Sequence, residues 1–222
     1  MHWPTQLARL RCLPGDLSAA QEAVAMLLDE SAKNGLIFWQ VRGRCLNGAV
    51  QIKQGDAAEG LRMTRTALAE PRQTEFILGL TEFAGALVEG FLGTGQVSQA
   101  VVAIDEALEH AERNEERWCL AELLRVKGEL LLIQRLQNAA GTAEDLFLEA
   151  LGWARRQGAL SWELRAATSL ARLWRGEGRT GDARELFFPV IVVSARGSRP
   201  LISGQPKHWP TTCDEGKASE WG

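Results

Sequence analysis

Tyrosine is absent from the 222 residues, and histidine and cysteine occur only three and four times. No run reaches 18 apolar residues, so no segment reads as a membrane-spanning helix. The opening Met1-His2-Trp3-Pro4 lacks the apolar core of a signal peptide. A net charge of -3 carries no basic footprint for DNA or RNA. The sequence has no HExxH, no CxxC and no GxxxxGK[ST], so it offers neither a metal site nor a phosphate loop for ATP hydrolysis. His2 and His208 fall in the tails, and His110 reads as part of an acidic helix face. No Ser/His/Asp set can be assembled with any specificity. These absences argue against an enzyme, and no cofactor is implied. Cys12, Cys45, Cys119 and Cys213 are far apart, and three lie in helical patterns. They read as free thiols of a reducing cytoplasm rather than a disulfide framework.

What is present is helix-forming residues in a repeat. Take the turn before each second helix of a hairpin as an anchor: Gly15, Gly55, Gly95, Asn138 and Gly178. The spacings are 40, 40, 43 and 40 residues. Five residues after each anchor stands a small side chain: Ala20, Gly60, Ala100, Ala143 and Ala183. An apolar stripe then recurs at common offsets, as Ala103, Ile104, Ala107 and Leu108 or as Leu146, Phe147, Ala150 and Leu151. Spacings of three and four mark one helix face. The second copy is weaker, with Met63, Thr64, Ala67 and Leu68.

The expected helices are 5–13, Leu17–Asn34, Ile37–Gln54, Ala57–Glu70, Thr74–Leu92, Val97–Arg113, Glu116–Leu136, Thr142–Gln157, Ser161–Gly176 and Gly181–Phe188. Gly35 and Gly158 close helices as C-caps, and Pro71 ends copy two. A single hairpin cannot bury its stripe, but stacked hairpins can. The fold class is therefore all-α: an α-solenoid of about five antiparallel hairpins over 1–188, the first cut short. After Phe188 the pattern stops. Val190-Ile191-Val192-Val193 is followed by Gly, Ser, Pro and Arg without period, so 189–222 reads as an irregular or disordered tail without the polar cap that ends a solenoid.

Copies four and five carry a family resemblance. Glu116-Arg117-Trp118 leads into Ala121-Glu122-Leu123 and Lys127-Gly128-Glu129-Leu130-Leu131. Later come Ser161-Trp162-Glu163-Leu164-Arg165 through Trp174, and Ala183-Arg184-Glu185-Leu186. This resembles the helical, TPR-like region at the C-terminus of bacterial multidomain signal-transduction ATPases, often fused to a nucleotide cyclase or a DNA-binding regulatory domain. The resemblance covers about 10–190 and is diffuse in copies one and two. It implies a non-catalytic protein-interaction scaffold, the regulatory or sensor repeat region of such an ATPase. The partner would be a protein or peptide, an ATPase or cyclase domain among the candidates. The alternative is a small-molecule effector-binding α-solenoid that controls an attached or separate ATPase, cyclase or transcription regulator. The tail departs from the family. Read from the third base of the Val190 codon, permitted codons encode a family-like helical end, so an out-of-frame tail is one expectation. A start inside a hairpin marks the chain as a fragment in the same reading.

Several motifs have simpler explanations. Gly176-Glu177-Gly178-Arg179-Thr180-Gly181 matches GxGxxG, but a dinucleotide site needs a preceding strand. Here a helix precedes it, and the anchor period accounts for the glycines. Asp105, Glu106, Glu109, Glu112, Glu115 and Glu116 read as a solvated face. Trp118, Trp162 and Trp174 read as core. One row is sharper: thirteen residues before the anchors stand Arg42, Glu82, Arg125 and Arg165. In a TPR-like stack this offset faces the concave groove, where arginines could clamp carboxylates of a partner. The simpler reading, inter-repeat salt bridges or solvated side chains, is favoured because charges on helix surfaces are commonly just solvated.

Overall fold

The computed structural model describes residues 17–69, 79–135 and 137–186. The expected helix 5–13, the boundary at Pro71 and the tail 189–222 lie outside them, as do Gly15, Cys12, Cys213, His2 and His208. The described residues contain helices and turns and no strand. In chain order the helices are α1 (Leu17–Lys33), α2 (Ile37–Lys53), α3 (Ala57–Ala69), α4 (Gly79–Gly93), α5 (Val97–Arg113), α6 (Leu120–Gln134), α7 (Ala139–Gln157) and α8 (Leu160–Gly176). Residues 180–186 begin α9.

Each helix packs on its neighbours in sequence, as stacked hairpins require. The first helices of the hairpins (α2, α4, α6 and α8) also touch one another from copy to copy. Among the described residues the second helices make no comparable contact with one another. The first helices therefore line the inner side, and α1, α3, α5 and α7 lie outside.

Turn chemistry explains the anchors. Gly55, Gly95, Asn138 and Gly178 all have positive φ, as do Gly35 and Gly158. A left-handed residue lets the chain fold back onto the helix it has just left. The amide after it then reaches the carbonyl five residues earlier: Asp56 to Gln51 (3.0 Å), Gln96 to Phe91 (2.7 Å), Arg179 to Trp174 (2.8 Å), Leu36 to Ser31 (2.9 Å) and Ala159 to Ala154 (2.9 Å). This is the Schellman closure, and it satisfies carbonyls that the helix end would otherwise leave unpaired. The 43-residue step has a local cause. After α6 the turn uses two left-handed residues, Arg135 and Asn138, and is longer than its counterparts.

Two boundaries differ from expectation. Residues 117–119 form a 3₁₀ turn, the Leu120 amide bonding to the Arg117 carbonyl, before α6 begins. The left-handed Glu115 and its closure, Glu116 to Ala111 at 2.8 Å, tighten the chain there. Helix α7 starts at Ala139, three residues before Thr142, because Asn138 already supplies the turn.

The small residue five after the anchor is buried in every copy: Ala20, Gly60, Ala100, Ala143 and Ala183. Between α2 and α3 the approach is closest. A Cβ on Gly48 would meet the Gly60 carbonyl oxygen at 2.6 Å, and one on Gly60 would strike the backbone of Gly48 in turn. Only glycine at both positions allows this crossing. The largest core joins copies three and four through Ile104, Leu123, Leu130 and Phe91, with half-buried Trp118 and Trp162 against it. Phe147, fully buried, fills the space left by Gly128. Trp174 packs against the Phe147 and Leu170 cluster. The core around Ala20, Val24 and Val50 is smaller.

Glu115 is the non-glycine residue where the equivalent turns at Gly35 and Gly158 use glycine. Glu115→Gly should stabilise the fold by about 1 kcal/mol by removing left-handed strain. Gly55→Ala should cost about 1 kcal/mol for the converse reason. Urea midpoints with unchanged slope would show both; a Glu115→Gly midpoint at or below wild type would contradict the strain argument.

Candidate functional site

The four residues picked out thirteen positions before the anchors lie on the inner-side helices α2, α4, α6 and α8. All four are held in ion pairs: Arg42 with Glu82 and Arg165 with Glu122 from copy to copy, and Arg125 within its own helix. Arg42 Nη2 donates to Glu82 Oε1, and its Nη1 forms an ion pair with Glu82 Oε2, both at 2.5 Å. The two residues are one 40-residue period apart. Their side chains are only 18% and 8% exposed, so the pair is largely shielded from water. The Arg42 guanidinium also lies about 6.0 Å from the centre of the Trp39 ring.

Arg125 and Arg165 share one carboxylate. Arg125 donates Nε and Nη2 to the two oxygens of Glu122, at 2.9 and 2.8 Å. Arg165 Nη2 reaches the same Glu122 Oε1 at 2.8 Å from the next copy. Arg125 Nη1 lies 3.6 Å from Glu129, and Ser169 on α8 donates to Glu129 at 2.5 Å. Burial disfavours the charge on Arg125. The hydrogen-bonded Glu122, with Glu129 and the more distant Glu89, outweighs that cost and holds its pKa above the ordinary arginine value. Glu89 in turn takes Lys53 from α2 at 2.9 Å.

The structure thus brings Arg125 and Arg165 together through Glu122, while Arg42 and Glu82 pair with each other. The sequence reading left out Glu122, Glu129, Glu89, Lys53 and Ser169. A usable signal existed. Arg42 and Glu82, and Ser169 and Glu129, are each 40 residues apart. In a solenoid, residues one period apart on the inner helices are neighbours. Charge complementarity at that spacing therefore reports contact, much as i,i+4 pairs do within a helix.

The row differs along its length in what it leaves to solvent. The side chain of Arg125 is 13% exposed and that of Arg165 is 49%. Arg172 lies two turns beyond Arg165 and is exposed. An added carboxylate could therefore reach Arg165 and Arg172, whereas Arg42 and Arg125 are committed to the protein's own acids.

The fold has solved counterparts. BtubC (BKLC) from P. vanneervenii has a crystal structure with TM-score 0.51 and 13% identity, covering 88% of this chain and 98% of that one. The crystal structure of a variant of a Podosopora anserina putative kinesin light chain, with nearly identical TPR-like repeats, has TM-score 0.51 and 15% identity. The match covers 87% of this chain and 93% of that one. The chain has the TPR-like repeat fold. No protein-family model matches the sequence, and no curated protein matches it. The TPR-like array has no helix long and apolar enough to cross a membrane among its described residues. Those residues also hold no cluster of three His, Cys, Asp or Glu fit for a metal ion.

Two side chains of the expected acidic face lie elsewhere. His110 is buried rather than exposed. Glu116 turns inward to accept the Thr81 hydroxyl at 2.7 Å, with His110 Nδ1 3.9 Å away. Glu116 stands directly after the tight turn at Glu115, and His110 is on the buried face of α5. Asp105, Glu106, Glu109, Glu112 and Glu115 are exposed. Cys45 and Cys119 are buried free thiols. Burial pushes the Cys119 thiol up to about 11, which keeps it protonated near neutrality. Gly178 of the GxGxxG match closes α8 and so serves a helix end, not a strand-to-helix phosphate loop.

At the C-terminal end Glu144 Oε1 accepts both Trp174 Nε1 (2.7 Å) and Arg179 Nη1 (2.8 Å), tying α7 to α8 and its closing turn. Arg179 also stacks 4.6 Å from the Trp174 ring. The Arg179 hydrogen bond, then that of Trp174, holds the Glu144 carboxyl below its ordinary pKa.

Glu82→Ala should cost about 3–5 kcal/mol, because it leaves the Arg42 guanidinium buried without its carboxylate. Lys53→Ala breaks a pair whose side chains are 52% and 42% exposed, and should cost under about 1 kcal/mol. Chemical denaturation separates the two; equal losses would refute the burial argument. For Glu144 the folded pKa lies below the unfolded one. Its stabilisation is complete above about pH 4.3 and disappears as pH falls through the lower folded value. The stability gap between wild type and Glu144→Gln should be about 1 kcal/mol at pH 7 and narrow as the pH falls below about 4.3. A gap that persists in acid would mean the carboxylate charge is not what matters.

Proposed function

We propose that the array is a non-catalytic protein-interaction scaffold whose partner lies along the inner side of α4, α6 and α8. The observation that carries this reading is the half-exposed Arg165, held in place by Glu122 and followed by the exposed Arg172. A guanidinium already fixed by one carboxylate loses little side-chain freedom when a second arrives, which favours recognition of an acidic peptide segment. The row Arg42, Glu82, Arg125 and Arg165 then has two roles. Arg42, Glu82 and Arg125 hold the register of the stack, and Arg165 meets the partner. The motifs of copies four and five support placing the scaffold as the regulatory repeat region of a signal-transduction ATPase, with the ATPase or a cyclase domain as the partner. Buried free thiols at Cys45 and Cys119 suit a cytoplasmic setting.

An immobilised library of acidic peptides, with uncharged peptides as controls, tests the reading. Wild type should retain acidic members. Arg165→Ala should weaken the best of them about tenfold, the value of roughly one charged hydrogen bond, with little change in melting temperature. Arg125→Ala is a poor probe of binding, since it should unsettle the stack itself. Equal binding by wild type and by Arg165→Ala combined with Arg172→Ala would exclude the inner side as the docking surface.

A further inference from the structure

The outer side of the array holds a cleft of about 460 Å³ between α3 and the turn that joins α4 to α5. Leu61 and Ala69 give it apolar surface. Thr94, Gln96, Arg62 and Arg65 give it polar surface. Arg62 is occupied, donating Nε and Nη2 to Glu59 at 2.7 and 2.5 Å. Arg65 is not. Among the described residues it has no carboxylate partner, and its guanidinium stands 5.9 Å from the centre of the Phe91 ring. Phe91 is 7% exposed and belongs to the main core, so the ring is a fixed platform. An arginine laid against such a ring keeps its in-plane N–H donors free for a planar acid.

Repeat architecture does not call for this arginine. The residues at the same offset in the other copies are Ala25, Asp105, Leu148 and Phe188. Asp105 answers its own neighbour Lys127 at 2.9 Å. The polar rim is ordered: the Thr94 hydroxyl donates to the Gly90 carbonyl (2.9 Å) and accepts Gln96 Nε2 (2.8 Å). A volume of this size exceeds what a bare inorganic anion fills and suits a small molecule with an apolar body.

We propose that this cleft binds a small organic carboxylate. The acid group pairs with Arg65, and the apolar body rests on Leu61 and Ala69. The site is on the opposite side of the array from Arg165, so it stands or falls independently of the peptide surface.

Benzoate is the probe, tested by thermal melting and isothermal titration of the full chain at constant ionic strength, with inorganic phosphate and chloride alongside. At about ten times its Kd, benzoate should raise Tm by about 3–6 °C. Arg65→Ala should melt like wild type without additive and lose the shift, while Arg165→Ala should keep it. Absence of saturable benzoate binding by wild type would overturn the proposal, as would a shift undiminished in Arg65→Ala. A shift with phosphate equal to that with benzoate would overturn the assignment to an organic acid.

Discussion

The left-handed residue that closes each helix whose end is described is the constraint on which this structure rests. The turn positions with positive φ, from Gly35 to Gly178, are glycine or asparagine apart from Glu115 and Arg135; Asn138 and Arg135 together make the longer turn's version. The amide that follows at Gly35, Gly55, Gly95, Glu115, Gly158 and Gly178 bonds back across five residues. That bond sets where one helix stops and the direction in which the next begins. When the same closure recurs at a near-constant interval, successive hairpins receive the same rotation. Equivalent residues then fall beside one another, and a linear sequence becomes a ladder.

Packing and electrostatics both follow from that ladder. The small residue five after each anchor lies where two helices cross, and Gly60 against Gly48 shows how little room there is. On the inner side, residues one period apart become neighbours. Arg42 therefore meets Glu82, Ser169 meets Glu129, and Arg165 reaches Glu122. Buried pairs such as Arg42 and Glu82 are costly to break even where they add little net stability. Their use is to penalise a shifted stack. In the proposed scaffold reading, the exposed end of the same row meets the partner because the buried part has already fixed its geometry.

The inner and outer sides are chemically different for the same reason. First helices touch from copy to copy, so their charges are answered by neighbouring copies. Second helices splay apart on the outside, which opens a cleft beside α3 and leaves Arg65 against Phe91 without an acid among the described residues. A stack of similar units thus leaves most inner-row charges paired, apart from the half-exposed Arg165 and the exposed Arg172, while on the outer side Arg65 stands without a carboxylate among the described residues.

The repeat period, most of the described helix limits and the turn glycines were legible in the residues alone. They rest on local rules: three-and-four spacing for a buried face and positive φ for glycine. The all-helical class followed from them, as did the burial of Ala100, Ala143 and Phe147. Tertiary structure decided the rest. It placed Glu122 between two arginines, drew Glu116 and His110 out of an apparently solvated face, and set Arg65 over a ring 26 residues away in the chain. Apart from the Arg125–Glu122 pair, three residues apart on one helix, none of these depends on a neighbour in sequence. Each depends on the angle at which one hairpin meets the next, and that angle is set by the sum of many side-chain contacts that no short motif records.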